Sequence, residues 1–217
     1  FLLISMYKMN KDRQFTNFIN KIENMLYNDL QNIETSNIDM DFELGEIMMG
    51  LCKTFKSNKF ISLQEKKRRK NILINTHNKM LNDLIDKGYN SEDIFRYNWH
   101  CQTVCQYYNT FFKLDLKEKN KSNLLKHVNL LKKYLHQYFN ENKLNMDSLE
   151  TNYLAVTFEA YTGLVNILRQ ENKSITDIIL KVEKIKKILD TRFTKYGLFK
   201  FNSGSSRIDI TGHIING

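Results

Sequence analysis

Two kinds of helical segment take turns along this chain, and that alternation limits its fold more than any motif does. One kind is studded with Lys and keeps its apolar residues in a stripe. The other is rich in aromatic, small and uncharged polar residues. Segments of the second kind begin near Asp41, Ser91, Asp147 and Ser206, about 50 to 60 residues apart. A helix poor in charge needs cover on most sides, and a Lys-rich helix needs water on one side. The pattern therefore reads as all-α: helical hairpins wrapped about an axis, with outer Lys-rich helices alternating with inner ones.

Composition supports this reading. The 217 residues contain no Pro, so helices must end on Gly, Asn or Asp chemistry. Eight Gly leave few sites for tight β-hairpins. Fourteen Phe and 11 Tyr, with many Ile and Leu, supply a core and exclude a disordered chain. No stretch is long and apolar enough to span a bilayer. The three cysteines, Cys52, Cys101 and Cys105, are an odd number and do not form a disulfide framework. Free thiols fit a cytoplasmic, reducing compartment. Cys101 and Cys105 share a helical face, but nothing is spaced to complete a zinc site. No phosphate-binding loop or dinucleotide fingerprint is present, so the sequence calls for no cofactor and no metal. The net charge of +9 is spread along the Lys-rich faces. No linker divides residues 1–217, which read as one domain. The missing initiator Met and the unfinished last hairpin make the chain look like a piece of a longer protein.

The expected helices run over 11–33, 41–56, 62–87, 91–113, 119–140 and 147–163, with another from about Ser174 to Gly197 and a last one opening near Arg207. Ser62-Leu63-Gln64-Glu65 and Asp147-Ser148-Leu149-Glu150 both read as capping boxes. Gly88 marks a helix end. Gly45 and Gly50, inside one helix, imply close backbone approach and burial on most sides. Lys66-Lys67-Arg68-Arg69-Lys70 opposes the dipole of its helix, which reads as a solvated outer surface or a phosphate contact. Leu198-Phe199-Lys200-Phe201 reads as a short extended piece. His77, His127 and His136 fall on Lys-rich helices and read as surface residues.

The paired inner and outer helices, with Gly197-Leu198-Phe199, a small-residue loop and then Arg207-Ile208-Asp209 and His213, resemble the α/α-toroid superfamily of six-hairpin, glycosidase-like proteins. The resemblance covers the chain in periodicity. A full ring needs more chain than is present, so it implies a partial toroid or one completed elsewhere. It also implies a site in a central funnel, at one end of the inner helices, for an oligosaccharide or other small polar substrate.

The polar residues of the inner helices are then the site candidates. Asp209, His213, His100 and Glu159 are the catalytic candidates, and Trp99, Tyr153, Asn152, Arg96 and Arg207 the substrate-binding ones. Glycoside hydrolysis needs two carboxyl groups, which Asp209 and either Glu150 or Glu159 could supply. Two imidazoles, His100 and His213, suit proton abstraction and return, the chemistry of an epimerase or isomerase. Trp99 and Tyr153 suit stacking on sugar rings. The same residues have plain structural roles open to them: carboxylates cap helices or pair with Arg96 and Arg207, and buried histidines and aromatics fill cores. Two other functions remain beside the carbohydrate-active enzyme: a non-enzymatic helical-repeat scaffold, and a basic nucleic-acid binder using Lys66 to Lys70, Lys132, Lys133, Lys186 and Lys187.

Overall fold

Helical periodicity is realised throughout a computed structural model that describes residues 13–33, 43–57, 61–111, 118–142, 146–195, 197–200 and 208–216. The side chains of 13–16, 56–57, 118, 208–210 and 216 lie outside that description. Among the described residues there are α1 (Arg13–Gln31), α2 (Glu43–Ser57), α3 (Leu63–Lys87), α4 (Ile94–Phe111), α5 (Glu118–Glu141), α6 (Thr151–Gln170), α7 (Thr176–Thr191) and α8 (Ile208–Asn216). Single 3₁₀ turns, Ser91–Asp93 and Met146–Ser148, precede α4 and α6. The described residues contain no strand and no helix long and apolar enough to cross a membrane. The extended piece expected at 198–201 is an isolated antiparallel bridge between Phe193 and Phe199, closed by Gly197 at φ 77°. Phe201, the loop at 202–206 and the expected start at Asp41 lie outside the described residues.

The capping signals divide. Ser62 Oγ accepts a hydrogen bond from Glu65 N at 3.1 Å, and Gly88 ends α3 at φ 69°, as the sequence predicts. The second box does not form. Asp147 and Ser148 belong to the 3₁₀ turn, and Glu150 itself is the N-cap of α6, with no side-chain cap bond.

The chain falls into two compact units. The first comprises 1–88 and 106–125, the second 89–105 and 126–217. In the first, α1 and α2 pack against α3. Arg69 is 1% exposed and lies at the centre of that packing. It donates to Glu23 Oε2 at 2.5 Å, Glu65 Oε1 at 2.9 Å and Asn24 Oδ1 at 2.8 Å, and its guanidinium stacks 4.8 Å from the Tyr27 ring. Hydrogen bonds from Arg68, then Arg69, outweigh desolvation and hold the Glu65 carboxyl at about 2. The reading of Lys66 to Lys70 as a solvated surface is therefore corrected at Arg69: a buried carboxylate, Glu23, makes that position a core ion pair.

α2 does not enclose itself as its glycines imply. A Cβ at Gly50 would meet nothing within 4 Å, and Glu43 and Glu46 are exposed, so α2 is buried along one stripe. His77 is also corrected. It is 1% exposed and stacks on Tyr107 at 4.5 Å, and burial pushes its imidazole down to about 4.

In the second unit, burial separates two populations. Every residue from Arg96 to Cys101 in α4 and from Leu154 to Phe158 in α6 is buried. At 3.6 residues per turn such runs cover all directions, so protein surrounds both helices there. In its own half of α5, by contrast, the stripe is His127, Val128, Leu131, Tyr134, Leu135, Tyr138 and Phe139, and α7 buries only Ile178, Ile185, Ile188 and Leu189. Phe95 meets Tyr153, Asn98 meets Thr157, Gln102 meets Glu159 and Cys105 meets Gly163, so α4 and α6 run parallel. α5 is antiparallel to α4, through Tyr97–Tyr134 and His100–His127. α7 is parallel to α5: Asp177 meets Lys132 and His136, and Lys181 and Lys184 reach Phe139. α6 packs in addition on α7 and α8.

Two outcomes follow for stability. Arg69→Met removes the ion-pair partner of the buried Glu23 side chain, and should destabilise the protein by about 3–5 kcal/mol in chemical denaturation. The depressed imidazole of His77 contributes stability that is present above the unfolded value near 6.5 and is lost as pH falls toward about 4. Denaturation midpoints should fall across that window, and His77→Phe, which keeps the stack on Tyr107, should fall less steeply.

Candidate proton-transfer site on α4, α6 and α8

α6 carries Glu159 on the side where α4 and α8 pack. Glu159 Oε2 accepts from Gln102 Nε2 on α4 at 3.0 Å and lies 2.6 Å from His213 Nδ1 on α8. Trp99, one turn before Gln102 on α4, presents its ring edge-on to His213 at 6.1 Å. Both partners of the short contact are half-buried, with side-chain exposures of 24% for His213 and 16% for Glu159. The contact fixes the ring: with Nδ1–H directed at the carboxylate, the lone pair of neutral His213 is on Nε2. Nε2 has no hydrogen bond among the described residues. A carboxylate-oriented imidazole with an unengaged Nε2 has the form of a general base or acid.

Three residues named from sequence thus come together: Glu159, His213 and Trp99. Gln102 completes the group and is singled out structurally by sharing Oε2 of Glu159. Asp209 lies one turn before His213 on α8, with its side chain outside the described residues, and Arg207 lies outside them altogether.

The remaining candidates sit elsewhere. His100 is 1% exposed, and its Nδ1 lies 3.2 Å from Nε2 of His127, which is fully buried. The pair is an interior link between α4 and α5, not a partner for His213. His127, expected at the surface, is corrected by this contact. His136 is corrected as well, being half-buried with 3.2 Å to Tyr161 Oη and 2.9 Å to Asp177 Oδ2. Desolvation lowers the His136 imidazole, against the hydrogen bond it donates to Asp177. Desolvation of Asp177 is outweighed by bonds from Lys132 and His136, which keep that carboxyl at about 2. Arg96 is 2% exposed and reaches Asp93 at 3.4 Å. Asn152 Oδ1 accepts from Tyr153 N at 2.9 Å. Tyr153 stacks on Phe95 at 4.6 Å and lines a cleft of about 480 Å³ with Ser91, Glu92, Tyr138 and Glu150.

Glu150 and Glu159 are both on the α6 segment, nine residues apart. At 1.5 Å per residue that is about 13 Å along the axis, so the two serve different places on the helix. Among the described residues no group of three or more His, Cys, Asp and Glu could hold a metal ion. Burial raises the Cys101 thiol well above its ordinary value, which makes it an unreactive core group.

No protein-family model, no curated protein and no solved structure matches this chain.

The orientation of His213 is open to direct observation. In ¹⁵N NMR of the neutral ring, Nδ1 should carry the proton, and Glu159→Gln should move the tautomer population toward Nε2–H.

Proposed function

We propose that the second unit is a carbohydrate-active domain, built as a toroid-like array of α/α hairpins, which transfers a proton at a polar, sugar-like substrate through His213. The observation that carries the reading is the 2.6 Å contact between His213 Nδ1 and Glu159 Oε2, with Gln102 on the same oxygen. In this reading Nε2 of His213 takes up or delivers the proton. Glu159 fixes the tautomer and stabilises the imidazolium that forms. Trp99 flanks the ring on the α4 side. Such a site suits elimination, epimerisation or acid-assisted hydrolysis of an oligosaccharide. With His100 buried against His127, a single imidazole does the work, which favours one-base chemistry over two-base exchange. The toroid-like arrangement is supported by α4 running parallel to α6 and α5 parallel to α7, the order expected of neighbouring hairpins.

The scaffold reading has an observation of its own: Arg96 and His100, both site candidates, are buried and partnered within the helices. A nucleic-acid surface has less support. Arg69 is buried, Lys132 pairs with Asp177, and Lys186 pairs with Asp190.

Turnover on a panel of neutral and acidic oligosaccharides separates these readings. The wild-type protein should convert at least one glycan. His213→Gln should reduce kcat by about 10²–10⁴-fold, the usual contribution of a positioned acid or base, with KM changed far less. A wild-type protein inert across the panel, or a His213→Gln variant of unchanged kcat, would leave the scaffold as the better account.

A further inference from the structure

His136 joins three helices through its two ring nitrogens. Nε2 lies 2.9 Å from Asp177 Oδ2 in the first turn of α7, and Nδ1 lies 3.2 Å from Tyr161 Oη on α6. The Asp177 carboxyl, held at about 2, only accepts, so Nε2 carries the proton of the neutral ring and donates to it. Nδ1 is then the acceptor, and the Tyr161 hydroxyl donates to it. Tyr161 is 0% exposed, and its oxygen has no other hydrogen-bond partner among the described residues. Burial, then Cys101 and Asp177, raise the phenol well above its ordinary value, so it keeps its proton.

These assignments decide what a second proton does. It can enter only at Nδ1, the one nitrogen with a lone pair. The new Nδ1–H then occupies the line to the Tyr161 oxygen, and the phenol hydrogen must turn away into the core. Among the described residues no acceptor meets it there, and a buried donor left without one is costly. The link to Asp177 gains at the same moment, because imidazolium and carboxylate form an ion pair. The charged groups around the ring are Asp177 and Lys181 of α7 and Lys132 of α5, with the Tyr161 phenol facing it from α6. Lys132 already pairs with Asp177 at 2.9 Å, which weakens the pull of that carboxylate on a cationic ring. Desolvation, the largest influence, and the two lysines outweigh Asp177, and the imidazole lies below its ordinary value.

We propose that His136 is an acid-sensitive latch in the second unit. Neutral, it fastens α5 to α6 through Tyr161 and to α7 through Asp177. Protonated, it holds α7 and strands the Tyr161 hydroxyl, which loosens α6 at that point. The inference does not rest on the proton-transfer reading of His213, and its test reads no turnover.

Residue-resolved NMR and hydrogen exchange of the full chain, wild type and His136→Gln, decide it. Gln keeps a donor and an acceptor on its amide but does not titrate. In the neutral wild-type ring, ¹⁵N shifts should place the proton on Nε2, and the Tyr161 ring signals should move with the titration midpoint of His136. A lowered imidazole contributes stability that is present above about 6.5 and lost as pH falls. Amides of 159–164 should therefore lose protection between about pH 7 and about pH 5. That loss should be at least about threefold greater in wild type than in His136→Gln. His77 titrates in both proteins, so the difference between them belongs to His136. If His136→Gln does not fold, the wild type decides alone, by the tautomer and by whether protection at 159–164 falls at the His136 midpoint. Three results would each overturn the proposal: an Nδ1–H tautomer in the neutral ring, Tyr161 signals indifferent to the His136 midpoint, or equal acid loss of protection in the two proteins.

Discussion

The parallel seam between α4 and α6 is the constraint on which the second unit depends. Its register is carried by Phe95 on Tyr153, Asn98 on Thr157, Gln102 on Glu159 and Cys105 against Gly163. A Cβ at Gly163 would stand 3.4 Å from Cys105 Cβ, so this position faces α4 across the seam. Helices enclosed in this way cannot carry long charged side chains without solvating them. That is the physical reason α4 and α6 are poor in Lys while α5 and α7, each buried along one stripe, are rich in it. The same enclosure obliges the polar residues of the seam to find partners. Gln102 finds Glu159, and Glu159 is thereby set where α8 can bring His213 to it. The candidate site is a consequence of satisfying polar groups between surrounded helices.

The first unit meets the same requirement by a different device. Arg69 is buried with Glu23, Glu65 and Asn24 around it and Tyr27 beneath its guanidinium. All five groups belong to α1 and α3 and the network ties those helices by directional bonds, where apolar packing alone would permit sliding. Glu65 also closes the capping interaction of Ser62, so one segment sets both the start of α3 and its contact with α1.

Much of the architecture was legible in the sequence, because helix periodicity and burial follow from residue type. Leu124, His127, Val128 and Leu131 fall three and four apart, and the stripe they form is buried as spacing demands. What spacing does not convey is that a polar member of a stripe shares its fate. His77 follows Leu73 by four and His127 follows Leu124 by three, so both stripes carry them inward, although imidazole among Lys residues reads as surface. Arg69 was misread for the same reason: it precedes Ile72 and Leu73 by three and four, while its neighbours Lys66 and Lys67 are exposed. The false capping box at Asp147 has a different cause. The Asp-x-x-Glu spacing was met, but a 3₁₀ turn used those residues first and moved the cap to Glu150. For the candidate site, residue type marked Trp99, Glu159 and His213, whereas their grouping depended on the packing of α8 on α6, a contact between segments about 50 residues apart that local pattern does not encode.

Native-state hydrogen exchange resolved by residue tests the central claim, that α4 and α6 are surrounded helices and α7 a one-sided one. Amides of 96–101 and 154–158 should belong to the slowest class and exchange only with global opening, while those on the exposed side of 179–187 exchange through smaller openings. Equal protection in α6 and α7, or fast exchange in the middle of α4, would contradict the account.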